Sequence, residues 1–291
     1  MVRKAESQSI DQSVLYNSAG PAAPLAWYGG KKVLARWIIE QMPNHRIYVE
    51  PYGGMANVLL KKQPSEVEIF NDLDGRVTNL FRVIRNPESL AELQRLCELT
   101  PYSRRQFAEL CTLPEPTDPI ERAHWFLVRG RQARGGLGAS ELTPSAWANG
   151  TRSRRKMPEP VSKYLSTIDG LQPLAARFRP VMIEELPAID LIKKYDKPDA
   201  LFYCDPPYPA STRSGGRSQA YAHEMTDDDH KELLTALRDC KGRVMISSYP
   251  SELYESLLHD WRRVEKSAKA QLSNSGNART EVVWLNYEIG T

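Results

Sequence analysis

Apolar residues recur along the chain at two periods, and the switches between them predict its elements. In "KKVLARWIIEQM" the residues Val33, Leu34, Trp37, Ile38 and Met42 return at helical spacing. "YVEPYGGMANVLL" then reads as strand, glycine turn and helix start. "EVEIFND" is a second strand ending in an acid, and "GRVTNLFRVIR" a second helix with Val77, Leu80, Phe81 and Ile84 on one face. Strand–helix–strand–helix order is the signature of a parallel sheet with crossover helices. From about Pro87 to Pro180 the pattern changes to helical or irregular sequence with many breakers and no clear strand. Alternation resumes at "LFYCD", and "TDDDHKELLTALRDC" is a helix opened by Thr226 with Asp229 three residues on, a capping-box spacing. "RVMISSY" is a buried strand, "SELYESLL" a helix and "EVVWLNYEI" a terminal strand. The parse is a polar lead-in over 1–20, an α/β unit made of 21–86 and 181–291, and a mostly helical insertion over 87–180.

Composition narrows this only a little. A chain of 291 residues suits one large domain carrying an insertion. The four cysteines contain no CxxC pair, which argues against a zinc site or disulfide framework and fits a reducing cytosol. No apolar run approaches the roughly 18 residues of a membrane span, and the first 20 residues lack the apolar core of a signal peptide. A cytoplasmic protein is expected. The net charge of +3 names no partner, but its distribution does more. Arg129, Arg131, Arg134, Arg152, Arg154, Arg155 and Lys156 face one acid, Glu141, in a stretch that also holds Gly135, Gly136, Gly138 and Trp147. Such a segment suits neutralisation of nucleic-acid phosphates, and the same composition describes a solvated loop.

Three motifs carry candidate chemistry. In "YVEPYGG" the glycines directly after a first strand let backbone approach a ligand where a Cβ would clash. Asp72 ends the next strand 22 residues after Glu50, where an acid commonly accepts from ribose hydroxyls. A tight turn with a solvated acid has the same spelling. "WYGGKK" is either a plain turn or a site with Trp27 against a ligand and Lys31 near its carboxylate. Asp205-Pro206-Pro207-Tyr208 is the most specific of the three. Asp205 offers an acceptor at a strand's carboxyl edge, and the prolines, lacking amide donors, stiffen the turn and leave a carbonyl free. Tyr208 supplies a rigid face on which a base can stack, a contact worth about 1–3 kcal/mol. Two acceptors and a ring suit a planar amine with two N–H donors.

Together "WYGGK", "VEPYGG", "FNDLDG" and "FYCDPPY", in that order from Trp27 onward, resemble the Dam-like, phage-type amino-group DNA methyltransferases that act on adenine N6. The resemblance implies a Rossmann-like fold with a mainly parallel sheet, S-adenosylmethionine as methyl donor, double-stranded DNA as partner, and target recognition by the helical insertion. It implies no metal and no obligate protein partner. Carried over by position, Trp27, Tyr28, Lys31, Glu50, Pro51, Gly53, Gly54 and Asp72 fall on the cofactor site, with Asp205 touching both cofactor and target amine. Asp205, Pro206, Pro207 and Tyr208 fall on the catalytic motif. "STRSGGRSQAYAHEM", with Ser211, Thr212, Tyr221, His223 and Glu224, resembles the loop that closes around a flipped nucleotide. The chain departs from the family at Ala56, which replaces a second glycine, and at Leu186-Pro187, where an aspartate usually contacts the cofactor adenine. Two alternatives fit the same residues: methylation of cytosine N4, and a non-catalytic DNA-binding module. Asp at position 205, rather than Ser or Asn, favours adenine.

Overall fold

The computed structural model describes residues 20–134, 142–212, 223–269 and 278–289. After a short helix α1 (Ala35–Ile39), strands β1 (Ile47–Glu50) and β2 (Val67–Asn71) start a sheet as the alternation predicts. Trp37 and Ile38 of the apolar face are buried, but Val33 is 67% exposed because α1 starts only at Ala35. The segment after the glycine turn makes helix-type bonds, Leu60 N–H to Ala56 O and Lys62 N–H to Val58 O, yet does not continue as a helix.

Helices α2 (Gly75–Arg85), α3 (Pro87–Leu99), α4 (Arg104–Thr112) and α5 (Pro119–Gln132) follow. Their starts are written in the sequence: Asp74, Asn86, Ser103 and Asp118 each cap a first-turn amide, and Pro87 and Pro119 stand in the first turn, where no amide is required. The insertion is not strand-free. A two-stranded ribbon, β3 (Ser153–Arg154) and β4 (Met157–Pro158), turns through Arg155 and Lys156 at φ 54° and 59°. Two consecutive positive-φ residues are the geometry of a tight hairpin turn, and the usual Asn-Gly or Asp-Gly spelling is absent here. Helices α6 (Glu159–Asp169) and α7 (Leu171–Phe178) return the chain to the sheet.

The second half supplies β5 (Met182–Glu184), α8 (Ala188–Tyr195), β6 (Ala200–Cys204), α9 (Asp227–Arg238), β7 (Arg243–Ser248), α10 (Glu252–Leu257), β8 (Arg262–Lys269) and β9 (Ala278–Leu285). The capping box at α9 is present, Thr226 and Asp229 each bonding the other's backbone. The main sheet runs β5-β2-β1-β6-β7-β9-β8, parallel except for β9, which is antiparallel to both β7 and β8. This is the expected Rossmann-like α/β fold. Two apolar layers cover its faces. One joins Phe70, Tyr203 and Val283 to Leu80, Phe126 and Phe178, so the helices of the insertion share a core with the sheet. The other packs Phe202 and Ile246 under Leu191, Leu233 and Tyr254.

Candidate active site

From β1 the chain winds outward to β2 and β5, then returns to β6 on β1's other side and proceeds to β7. The order therefore reverses between β1 and β6, and open parallel sheets bind ligands beyond the strand carboxyl ends at such a switch point. Glu50 ends β1 and Asp205 follows β6, so the two motifs are brought together there across 155 residues. A cavity of about 470 Å³ opens at this edge, within the range of small-molecule sites. Trp27, Tyr28, Lys31, Glu50, Pro51, Gly53, Gly54, Asp72, Asp205, Pro206 and Pro207 all line it.

The glycine turn forms one wall. Gly54 has φ 48°, and its N–H donates to Asp72 Oδ2 at 2.7 Å while Asp74 N–H donates to Oδ1 at 2.8 Å. A Cβ on Gly53 would strike Phe70 and one on Gly54 would press on Trp27. Ala56, at the position where the family's second glycine is expected, sits at φ 54°, a left-handed conformation that costs a side-chain-bearing residue about 1–2 kcal/mol. The Trp27–Gly30 turn closes through Gly30 N–H to Trp27 O at 3.1 Å, with Gly29 at φ 72° as a type II turn requires.

Burial dominates the acids. It pushes Glu50 up to about 8, against hydrogen bonds from the Tyr48 hydroxyl and the Leu59 amide, and lifts Asp72 to about 6 against the Asp74 and Gly54 amides. At the far end, buried Asn71 clasps the Leu186 backbone: Leu186 N–H donates to Asn71 Oδ1 at 2.8 Å, and Asn71 Nδ2 donates to Leu186 O and Pro51 O. This clasp sets Pro187, Ala188 and Ile189 into the wall, together with Asp190. An acid thus reaches the wall from three residues beyond Pro187, which a comparison of motif positions alone does not show.

Asp205 is the most connected group. Its Oδ1 accepts from Lys31 Nζ at 2.7 Å and from Ser247 Oγ at 2.8 Å. Lys31, expected near a ligand carboxylate, has its ammonium between Asp205 and Glu281 Oε1, 3.5 Å away, and donates to Gly29 O as well. Burial opposes that charge, but the two carboxylates outweigh it and hold the lysine above its ordinary value. Tyr208 is buried behind the cavity wall; its hydroxyl donates to Glu281 Oε1, Lys31 lies over its ring at 4.7 Å, and Tyr249 meets it edge-on. Ser247, Tyr249 and Glu281 were not singled out from sequence. For Glu281 a signal exists: it shares a face of β9 with Val283 and Leu285, both in the core, and an acid on a core face needs a partner.

The basic residues divide. Arg129 stacks on Trp125 at 3.9 Å and Arg131 donates to Lys163 O, so both are part-buried and engaged within the insertion. Arg134 is exposed and holds the turn at Ser145 and Trp147. Arg152, Arg154, Arg155 and Lys156 are exposed around the ribbon, Arg155 also reaching Ser166 Oγ. Ser211 and Thr212 lie on a short turn after the proline motif, where Thr212 bonds Pro209 O. The glycines at 135–138, Glu141 and Tyr221 lie outside the described residues, whereas His223 and Glu224 line the cavity.

Among the described residues no group of His, Cys, Asp and Glu could hold a metal ion, and no helix is long and apolar enough to cross a membrane. Comparison with curated proteins gives no match. A family match covers residues 27–272, from the Trp27 turn through the glycine wall, the insertion and the Asp205 motif. With that match over most of its length, the chain belongs to the D12 class N6 adenine-specific DNA methyltransferase family and is an adenine-specific DNA methyltransferase.

Proposed function

We propose that the enzyme transfers a methyl group from S-adenosylmethionine to the N6 amine of an adenine turned out of duplex DNA. The observation that carries this reading is Asp205 at the switch-point cavity, its carboxylate accepting from Lys31 and Ser247 and so placed to accept from a substrate donor. The residues fit the cofactor. The Gly53-Gly54 turn offers bare backbone, Asp72 stands where a ribose is held, and Glu50, buried at the end of β1 and lining the cavity, suits a ligand ammonium. Pro187, Ile189 and Asp190 would flank the cofactor's adenine. When bound, the cofactor supplies an electrophilic methyl on a positively charged sulfur.

What the chain itself does follows from the adenine amine being a poor nucleophile, its lone pair delocalised into the ring. The Asp205 carboxylate and the Pro206 carbonyl accept from the two N6 hydrogens, which favours a pyramidal nitrogen with its lone pair directed at the methyl. As N6 gains positive charge, the same carboxylate binds it more strongly, so the interaction favours the transition state over the ground state. Extruding a base costs a few kcal/mol, and stacking against Tyr208 returns about 1–3 kcal/mol. The exposed Arg152, Arg154, Arg155 and Lys156 are assigned to DNA phosphates, and Ser211 and Thr212 to the strand beside the flipped nucleotide. Arg129, Arg131 and Arg134 shape the insertion that presents them. All four cysteines are free, which suits a reducing cytosol where DNA is accessible.

The test is transfer of labelled methyl to unmethylated DNA, with modified bases mapped by sequencing. Wild-type protein marks adenines in one motif, and Asp205→Ala, still folded with a cooperative melting transition, transfers none. Near-wild-type turnover by Asp205→Ala sinks the assignment.

A further inference from the structure

Lys31 poses a problem that the base-site reading must solve. Its ammonium donates to Asp205 and lies over the Tyr208 ring. Those are the two contacts the target amine and its base are assigned, so a base and the lysine cannot hold them together. Lys31 is buried, and a buried ammonium that loses its carboxylate must find another acceptor or lose its charge.

Glu281 is the second acceptor. It comes from β9, where it pairs with Lys266 of β8 and directly precedes Val282, the last residue in register with β7. Its Oε1 lies 3.5 Å from Lys31 Nζ and takes the Tyr208 hydroxyl proton in a hydrogen bond. The Tyr208 hydroxyl donates to that oxygen and the Lys31 ammonium faces it, and both oppose the burial that raises the carboxyl above its ordinary value. Closing 3.5 Å to the roughly 2.8 Å of an ordinary charged hydrogen bond needs less than about 1 Å of movement. The Tyr208–Glu281 bond, meanwhile, keeps the ring in place when the ammonium leaves its face. Charge also favours the arrangement: Asp205 and Glu281 share one lysine, so the cluster stays net negative beside an amine that becomes positive.

We propose that Glu281 is a positioning residue for methyl transfer: it anchors Tyr208 and receives Lys31 when the target amine displaces that lysine from Asp205. The proposal rests on the reading of Asp205 as the amine's acceptor, and it concerns a residue outside the family match at 27–272.

The experiment measures single-turnover methylation of a duplex carrying the mapped target site, together with KM for that DNA and calorimetric affinity for S-adenosylhomocysteine. Glu281→Gln should slow single-turnover transfer about 10- to 100-fold, while KM for DNA and affinity for the cofactor product each stay within about threefold. In a Lys31→Met background the same change should cost less than about threefold, because glutamine still accepts from Tyr208 and the lost charge acts through Lys31. Single-turnover transfer by Glu281→Gln within about threefold of wild type overturns the proposal, as does a cost that multiplies with that of Lys31→Met. Glu281→Asp, which keeps the charge but withdraws it, is held to the same outcomes if Glu281→Gln does not fold. Asp205→Asn separates the two readings. If it transfers normally the base-site reading fails; if it is inactive while Glu281→Gln is not, only the role of Glu281 fails.

Discussion

Replacing Gly53 by alanine tests whether the glycine wall is needed for its lack of a side chain. The added Cβ would lie 2.1 Å from Phe70 Cε2, 2.6 Å from Cδ2 and 2.7 Å from Cζ, three atoms of one ring. Ordinary contact begins near 3.4 Å, so ring or turn must move by more than about 1 Å. The ring cannot swing away. Phe70 is fully buried, edge-on to Phe81 at 4.9 Å and to Phe178 at 5.4 Å, and those two stack on each other at 4.1 Å. The turn must therefore give, although Gly53 N–H is tied to Asn71 O at 2.8 Å. Overpacking of this kind costs about 1–3 kcal/mol, which lowers the melting temperature by about 2–12 °C at about 2–4 °C per kcal/mol. The same movement carries Gly54 off Asp72, so affinity for S-adenosylhomocysteine should fall at least about tenfold. Scanning calorimetry and titration calorimetry measure the two effects. Adding Phe70→Leu should restore over half of the lost melting temperature. A Gly53→Ala protein that melts within about 1 °C of wild type and binds as tightly refutes the reasoning.

Two further predictions concern buried charge. Glu50 keeps its proton up to about pH 8 in the folded protein, whereas the unfolded chain releases it near 4.5, so this group makes stability fall as pH rises between those values. In urea titrations at pH 5 and pH 8, Glu50→Gln should show a smaller loss of midpoint than wild type, and an equal or larger loss contradicts the assignment. Glu68 behaves in the opposite sense. Burial raises it, but Arg177 at 2.8 Å and Lys62 at 2.6 Å prevail and hold it below the ordinary range. Its contribution is complete above about pH 4.5 and is lost as pH falls through the lowered folded value. Glu68→Gln strands two buried cations and should cost about 3–5 kcal/mol at pH 7. A change below about 1 kcal/mol in the same titration argues against that buried network.

The elements and their order were legible in the chain because each carries a local cause. Val77, Leu80, Phe81 and Ile84 mark one face of α2, Thr226 with Asp229 opens α9, and an apolar run stops at Asp205-Pro206. The ribbon at Ser153–Pro158 escaped because its turn is made by Arg155 and Lys156, residues whose spelling does not announce positive φ. The motif residues of the cavity were also legible, since glycines, an acid and a proline pair at strand ends are constrained by backbone geometry wherever the strands finally lie.

Tertiary structure decided which charges meet. Lys31 could not be assigned to Asp205 or Glu281 from sequence, because those partners arrive 174 and 250 residues later by way of sheet order. The same holds for the seven clustered basic residues, which the fold divides into part-buried Arg129 and Arg131, Arg134 at a turn, and four exposed cations around the ribbon. Backbone preference is local, so sequence by itself determined β1, β2, β6, β7 and β9, the caps and the glycine turns, and left β3, β4, β5 and β8 unread. Burial and the neighbours of a charge are properties of the packed whole, so only the structure decided what surrounds the carboxylate of Asp205.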